Sequence, residues 1–154
     1  MPCAAVQSIW GALADEPNSL NMNRVEWLVT QDRVILDGPQ ITSQAKTISR
    51  VKRKGGMSLK DFRTYWAEAH SPLACKLPGI QRYVQGITVN AAYAYAEPRW
   101  DRVSQIWVEN LVALQHMRES EEYTVGTSSD AAKVLDVDSV SSFAAQEHHV
   151  IRPE

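Results

Sequence analysis

From Lys46 onward the apolar residues change their period in a fixed order, and that order limits the folds open to the chain. Thr47 to Lys54 reads as an extended segment stopped by Gly55-Gly56. Ser58 then offers a capping oxygen with Asp61 three positions on, and Phe62, Tyr65, Trp66 and Ala69 recur on one helical face. His70 is expected to close that helix, with Ser71-Pro72 opening a second, shorter one that Pro78-Gly79 ends. Ile80 to Val89 is extended again, residues 90–100 read as a loop, and Val103 to Val108 alternates as a strand. Asn110 can cap a helix carrying Leu111, Leu114 and Met117, and Ser120 starts a further turn with Tyr123. Val140 to Ile151 supplies the last strand.

Strand–helix–strand, twice over, is the split β-α-β pattern of a ferredoxin-like α+β fold: a four-stranded antiparallel sheet with both main helices on one face. The other face has nothing from its own domain to cover it. It would carry Trp107, or Ile106 and Val108, depending on register, so burial by a partner is expected. A homodimer closing sheet against sheet, as a dimeric α+β barrel, would bury that face and enclose a chamber lined by strand side chains.

The preceding part is less regular. Residues 1–23 show no sustained period and read as a loose arm. Arg24–Thr30 and Arg33–Leu36 are short β-branched runs separated by Gln31-Asp32, giving a hairpin or an added strand before Asp37-Gly38-Pro39. The expected organisation is an extension over 1–45 and one domain over 46–151. The opening MPCAAVQSIWGALADE lacks a basic leader region, and Gln7 and Ser8 interrupt its apolar stretch, so a cytoplasmic chain is expected. No run approaches the roughly 20 apolar residues of a membrane helix. With 16 Lys plus Arg against 18 Asp plus Glu, the net charge of -2 gives no general pull toward nucleic acid or a membrane surface. Cys3 and Cys75 form neither a disulfide framework nor a cysteine zinc site.

The segment VKRKGGMSLKDFRTYWAEAHSPLACKLPGIQRYVQ resembles the EthD-like family of dimeric α+β barrel proteins. The resemblance rests on the basic strand end, the Gly-x-Ser, Phe62, Tyr65-Trp66, His70-x-Pro72-Leu73, Leu77-Pro78-Gly79 and Arg82-Tyr83-Val84-Gln85. WDRVSQIWVENLVALQHMRESEEY resembles the family's third strand and second helix, and Gln146 to Ile151 its close. The resemblance spans about residues 46–151 and implies a ferredoxin-like protomer and a dimer. It implies no single activity: relatives are associated with ether degradation, with decarboxylation or cyclisation in polyketide pathways, and, in related barrels, with lactone isomerisation. Two features depart from the family: a more polar first strand, Thr47–Lys52, and residues 1–45, which have no counterpart in it.

His70 is the leading catalytic candidate. A helix C-terminus would favour its imidazolium and burial would oppose it, so titration near neutrality is reachable, as general acid–base work requires. A His at such a junction also commonly caps a carbonyl, and related barrels use a His near this place. Trp66 lies at the i, i+4 spacing and can pack on the imidazole, while Tyr65 faces elsewhere on the helix. Tyr83, on an alternating strand, can hold a substrate oxygen. Trp66, Trp107, Ser104, Gln105 and His149 are the candidate substrate contacts, only one parity of Ser104 and Gln105 facing the cavity. His148 and His149 point to opposite faces, so with Glu147 they make a poor ligand set and no metal is expected. Cys75 reads as a packing residue and Lys52-Arg53-Lys54 as a solvated rim. Gly55-Gly56 has no phosphate-loop spacing, and no flavin, nicotinamide or nucleotide signature is present.

The expected protein is a cofactor-free lyase that moves protons with His70 and Tyr83 on a small oxygenated aromatic or polyketide-like compound. Decarboxylation, dehydration and cyclisation all fall within that chemistry. The alternatives are a non-catalytic protein that holds a hydrophobic intermediate for an oxygenase, or a lactone isomerase.

Overall fold

The computed structural model describes residues 17, 18, 20–39 and 44–148. Five strands form one sheet: β1 (Thr30–Leu36), β2 (Ala45–Val51), β3 (Ile80–Thr88), β4 (Arg102–Val108) and β5 (Ser141–Gln146). Their spatial order is β1-β3-β4-β2-β5, and every neighbouring pair is antiparallel. β3-β4-β2-β5 are the four strands of the split β-α-β pattern, so the sheet has one strand more than expected.

The added strand comes from the segment before Lys46, and it is a single strand, not a hairpin. Gln31 and Asp32, which look like a turn, pair with Ile87 and Gly86 of β3. At a sheet edge, backbone pairing and a solvent-facing side tolerate such polar residues. Gly86 makes the close approach possible, because a Cβ there would sit 2.9 Å from the Thr30 hydroxyl oxygen.

Ser58 caps α1 (Leu59–Tyr65), accepting from the Asp61 backbone amide at 3.0 Å. The helix does not close at His70. It widens into a π-helical turn over Trp66–His70 and runs straight into α2 (Ser71–Ala74). Ser71 has helical backbone angles (φ -60, ψ -41) and is no N-cap. Its amide and its hydroxyl both donate to the Trp66 carbonyl five residues back, the hydroxyl at 2.6 Å.

Residues expected as loop after β3 include a short helix, α3 (Asn90–Tyr95). It is rich in alanine, a strong helix former, and Tyr93 anchors it by donating to Asp101 at 2.6 Å. Asp101 is fully buried and also takes the Arg53 amide at 2.8 Å and the Arg53 guanidinium at 2.5 Å. Lys52 reaches Asp101 and Glu97. Lys52 and Arg53 therefore pin β2 to the start of β4 rather than forming a solvated rim. Asn110 caps α4 (Leu111–Glu119), as its spacing predicts. A π-helical segment, Glu122–Ser128, then leads into the one-turn α5 (Ser129–Ala131).

Partners across an antiparallel ladder share a face, so the register sorts the strands. Tyr83, Ile106 and Thr47 stand in one row on the helix side, and Gln85, Ser104, Ser49 and Ser142 in the next. On the other side Val34, Val84, Gln105, Ile48 and Phe143 form one row, and Arg82, Trp107, Lys46 and Ala145 another. Helices and sheet bury two clusters, one around Leu77, Tyr83, Ile106 and Met117, the other around Val51, Phe62, Trp66 and Leu135.

Candidate active site

Where those two clusters meet, the helix side of the sheet holds a cavity of about 270 Å³. Tyr83, Ile106 and Thr47 form its floor with Ser49 and Ser104; Trp66, His70, Ala74 and Leu77 line one wall. Met117, Tyr123, Thr127 and Leu135 come from the second helical arm, and the exposed Val137 and Val140 stand on the rim. The lining is chiefly apolar with scattered hydroxyls, which suits a small oxygenated compound more than a sugar or a nucleotide. The chamber lies inside one protomer, between helices and sheet. The expected position, between two sheets of a dimer, is corrected accordingly.

His70 is 5% exposed and lies on the Trp66 ring, centroids 4.0 Å apart, so the i, i+4 pairing read from the sequence persists through the π turn. Its Nδ1 stands 3.1 Å from Asp130 Oδ2. The other carboxylate oxygen of Asp130 accepts from the Tyr65 hydroxyl at 2.6 Å and from Lys133 at 3.1 Å. Tyr65, expected to face elsewhere, thus supports the dyad from behind. Burial pushes the imidazole below its ordinary range, and the Asp130 carboxylate opposes that shift without overcoming it. Burial would raise Asp130, but hydrogen bonds from Tyr65, Lys133 and His70 outweigh it and hold the carboxyl below its usual value. At neutral pH the pair is a neutral imidazole donating Nδ1–H to a carboxylate. Nε2 is then the unprotonated nitrogen of a ring that lines the cavity.

Tyr83 is fully buried and its ring lines the same cavity. Its hydroxyl accepts from Gln85 Nε2 at 2.7 Å. Among the described residues its own proton has no acceptor.

The structure therefore brings His70, Tyr83, Trp66 and Ser104 to one chamber. It places Gln105 and Trp107 on the opposite sheet face, which settles the parity between Ser104 and Gln105. Trp107 lies between Lys46 and Arg82, with ring-centre distances of 4.8 and 5.4 Å, and donates its indole N–H to Glu147. His149 lies outside the described residues, and His148 is exposed. Among the described residues no three His, Cys, Asp or Glu side chains converge on a metal position. Cys75 packs against the first cluster, and burial pushes its thiol up, away from nucleophilic reactivity.

Sequence reasoning missed Asp130, Gln85, Arg102 and Arg118. Asp130 lies 60 residues from His70 with no spacing to connect them. Arg118 lines the cavity mouth and stacks over Tyr123 at 5.8 Å.

A family model described as the EthD domain matches residues 54–138, more than half of the chain. The chain belongs to the EthD family. An ethyl tert-butyl ether d (ethd) family protein from Bacillus halodurans C-125 is similar in structure, with TM-score 0.57 and 17% identity over 68% of this chain and 99% of that one. A dimeric protein of unknown function and ferredoxin-like fold from Bacteroides fragilis matches with TM-score 0.52 and 17% identity, over 68% of this chain and 96% of its own. A dimeric ferredoxin-like protein of unknown function from Thermobifida fusca YX gives TM-score 0.54 and 11% identity, over 69% and 92%. At these identities the likeness carries the fold: α+β and ferredoxin-like, here with a five-stranded antiparallel sheet. No curated protein matches the sequence. No helix among the described residues is long and apolar enough to cross a membrane.

Proposed function

We propose that this EthD-family protein is a cofactor-free proton-transfer enzyme of the lyase type, acting on a small oxygenated, largely apolar compound in the helix-side cavity. The observation that supports the reading is a cavity lined by both His70, whose Nδ1 is engaged by Asp130, and Tyr83, whose hydroxyl proton has no acceptor among the described residues. A substrate oxygen accepts from Tyr83, and His70 Nε2 takes a proton from the adjoining carbon. The electron pair of the broken bond moves onto the oxygen held by Tyr83, and Asp130 stabilises the imidazolium formed. Return of that proton to a departing hydroxide completes a dehydration; attack of the enolate carbon on a second carbonyl of the same compound, with the proton delivered to the alkoxide oxygen formed, completes a cyclisation. Decarboxylation uses the same pair: His70 Nε2 takes the proton of the substrate's carboxylic acid, carbon dioxide leaves with its electron pair held as an enolate on the oxygen bound by Tyr83, and the proton returns to the carbon. The apolar walls keep water from competing.

The protein works as a homodimer through the open sheet face. Dimeric relatives of the same fold support this, as do Val34 and Phe143, each 50% exposed on that face.

His70→Gln tests the catalytic reading. With enolisable keto acids as probes, hydrogen–deuterium exchange at carbon and carbon dioxide release should fall about 100-fold or more. Binding, read by tryptophan fluorescence, should persist. Unchanged turnover in His70→Gln refutes the acid–base role of His70, and tight binding with no turnover in the unmodified protein assigns a carrier role and refutes the enzyme.

A further inference from the structure

Arg102 is 2% exposed, yet among the described residues no carboxylate pairs with it. Its guanidinium donates to the Gln85 amide oxygen, lies over the faces of Phe62 and Trp66 at 5.8 and 5.9 Å, and keeps a buried Nε without a partner. Burial pushes it down to about 10, so it is still a cation at neutral pH. A buried cation without a counter-charge is costly, and a protein keeps one where negative charge arrives during function.

The wiring shows where that charge would arrive. Arginine only donates, so Gln85 must turn its oxygen toward Arg102 and its amide nitrogen the other way. That nitrogen donates to the Ser71 hydroxyl and to the Tyr83 hydroxyl, both at 2.7 Å. Gln85 is fully buried and has no freedom to flip. Positive potential is thus relayed from Arg102 to the phenol oxygen of Tyr83, whose own proton has no acceptor among the described residues and whose ring lines the cavity.

We propose that Arg102 and Gln85 are positioning residues that make Tyr83 an oxyanion-holding donor, and that the cavity accordingly takes compounds whose oxygen becomes anionic: phenols and enolisable ketones. This deepens the proton-transfer reading and rests on it only for the identity of the cavity as the working site.

The test reads binding, not turnover, so it separates from the test of His70. p-Nitrophenol is titrated into the protein near its own midpoint of ionisation, and bound phenolate is followed by its visible absorbance. The unmodified protein should shift the bound probe toward phenolate. Gln85→Glu keeps the side-chain shape, gives Arg102 a buried carboxylate and removes the donor to Tyr83; its Tm should hold or rise while phenolate binding weakens about tenfold to a hundredfold. Arg102→Met should weaken it likewise, and Arg118→Met much less. The proposal is overturned if the unmodified protein leaves the probe's ionisation unchanged, if Gln85→Glu binds phenolate as well as the parent, or if only Arg118→Met loses the signal. Loss of keto-acid turnover with the phenolate shift intact would fault the catalytic reading and leave this one standing.

Discussion

Replacing Asp130 by Asn changes the imidazole without changing the shape around it. The carboxylate holds three donors: Tyr65 at 2.6 Å, Lys133 at 3.1 Å and His70 Nδ1 at 3.1 Å. Lys133 is largely exposed, so its ion pair contributes little. An asparagine oxygen can still accept from Tyr65, but as a neutral bond, and its amide nitrogen then faces His70. Exchanging a charge-assisted bond for a neutral one costs about 1–2 kcal/mol. For a chain of this size that lowers Tm by roughly 2–4 °C for each kcal/mol. The larger effect is on the tautomer: an N–H facing Nδ1 turns that nitrogen into an acceptor and moves the ring proton to Nε2. The cavity would then meet a donor where the native protein presents a base, and turnover should fall about 100-fold or more. Long-range proton–nitrogen correlation of 15N-labelled protein reads the tautomer directly and needs no substrate. The native ring should show Nδ1–H, and the Asp130→Asn ring Nε2–H. An identical tautomer in both, or a native imidazolium at neutral pH, would refute the dyad as described.

Acidification should destabilise the protein through the same ring. His70 has a folded-state pKa below the ordinary 6.5, so under acid the unfolded chain binds a proton that the folded one resists. Stability therefore rises with pH across that window, by up to about 1.4 kcal/mol per pH unit. Denaturant melts at about pH 5.5 and about pH 7.5 should differ in the native protein and differ less in His70→Gln. A second loss, as pH falls through and below 3.8, belongs to Asp130, whose folded-state value is depressed. Asp101→Asn removes the fully buried carboxylate that pairs with the part-buried Arg53 and should cost about 1.5–3 kcal/mol, seen as a fall in urea midpoint. Phe143→Asp places a charge on the open sheet face; sedimentation should show the proposed dimer dissociating, while a variant that stays dimeric would move the interface elsewhere.

The fold was legible because its signals are local. Ser58 and Asn110 announce helix starts by chemistry confined to four residues, and both side chains cap as read. Parity along β4 separates Ser104 from Gln105, but which parity meets the cavity depends on where the helices pack, and no strand carries that information. The same gap explains Trp107, whose size made it a plausible pocket wall and whose register puts it on the far face. Ser71-Pro72 has the composition of a helix start, yet Ser71 spends its hydroxyl on the Trp66 carbonyl and on Gln85 from the sheet. A tertiary partner overrode a local rule. Asp130 reaches His70 across 60 residues, a pairing that one sequence does not reveal, whereas Gln85 lies two residues from Tyr83 on β3, where strand alternation already puts both on one face.

The π-helical turn at Trp66–His70 is what lets one short helix serve both halves of the site. In an α-helix each residue advances by about 100°, so neighbours diverge by a fixed amount and the i, i+4 amides close each turn. Here the Ser71 amide reaches back five residues to Trp66, and the wider turn resets the angle at which the next residues leave the axis. His70 then meets Asp130, which follows a second π-helical segment over Glu122–Ser128, while Ser71, one residue on, meets Gln85 on the sheet. Wide turns of this kind are rare and less well bonded than the α-helix around them, so their survival needs compensation. The Ser71 hydroxyl supplies part of it, with a further bond to the same Trp66 carbonyl that its amide uses. His70 and Tyr83, the proposed base and oxygen-holding phenol, are therefore connected through Ser71 next to His70 in the chain and through Gln85, which donates to both Ser71 and Tyr83.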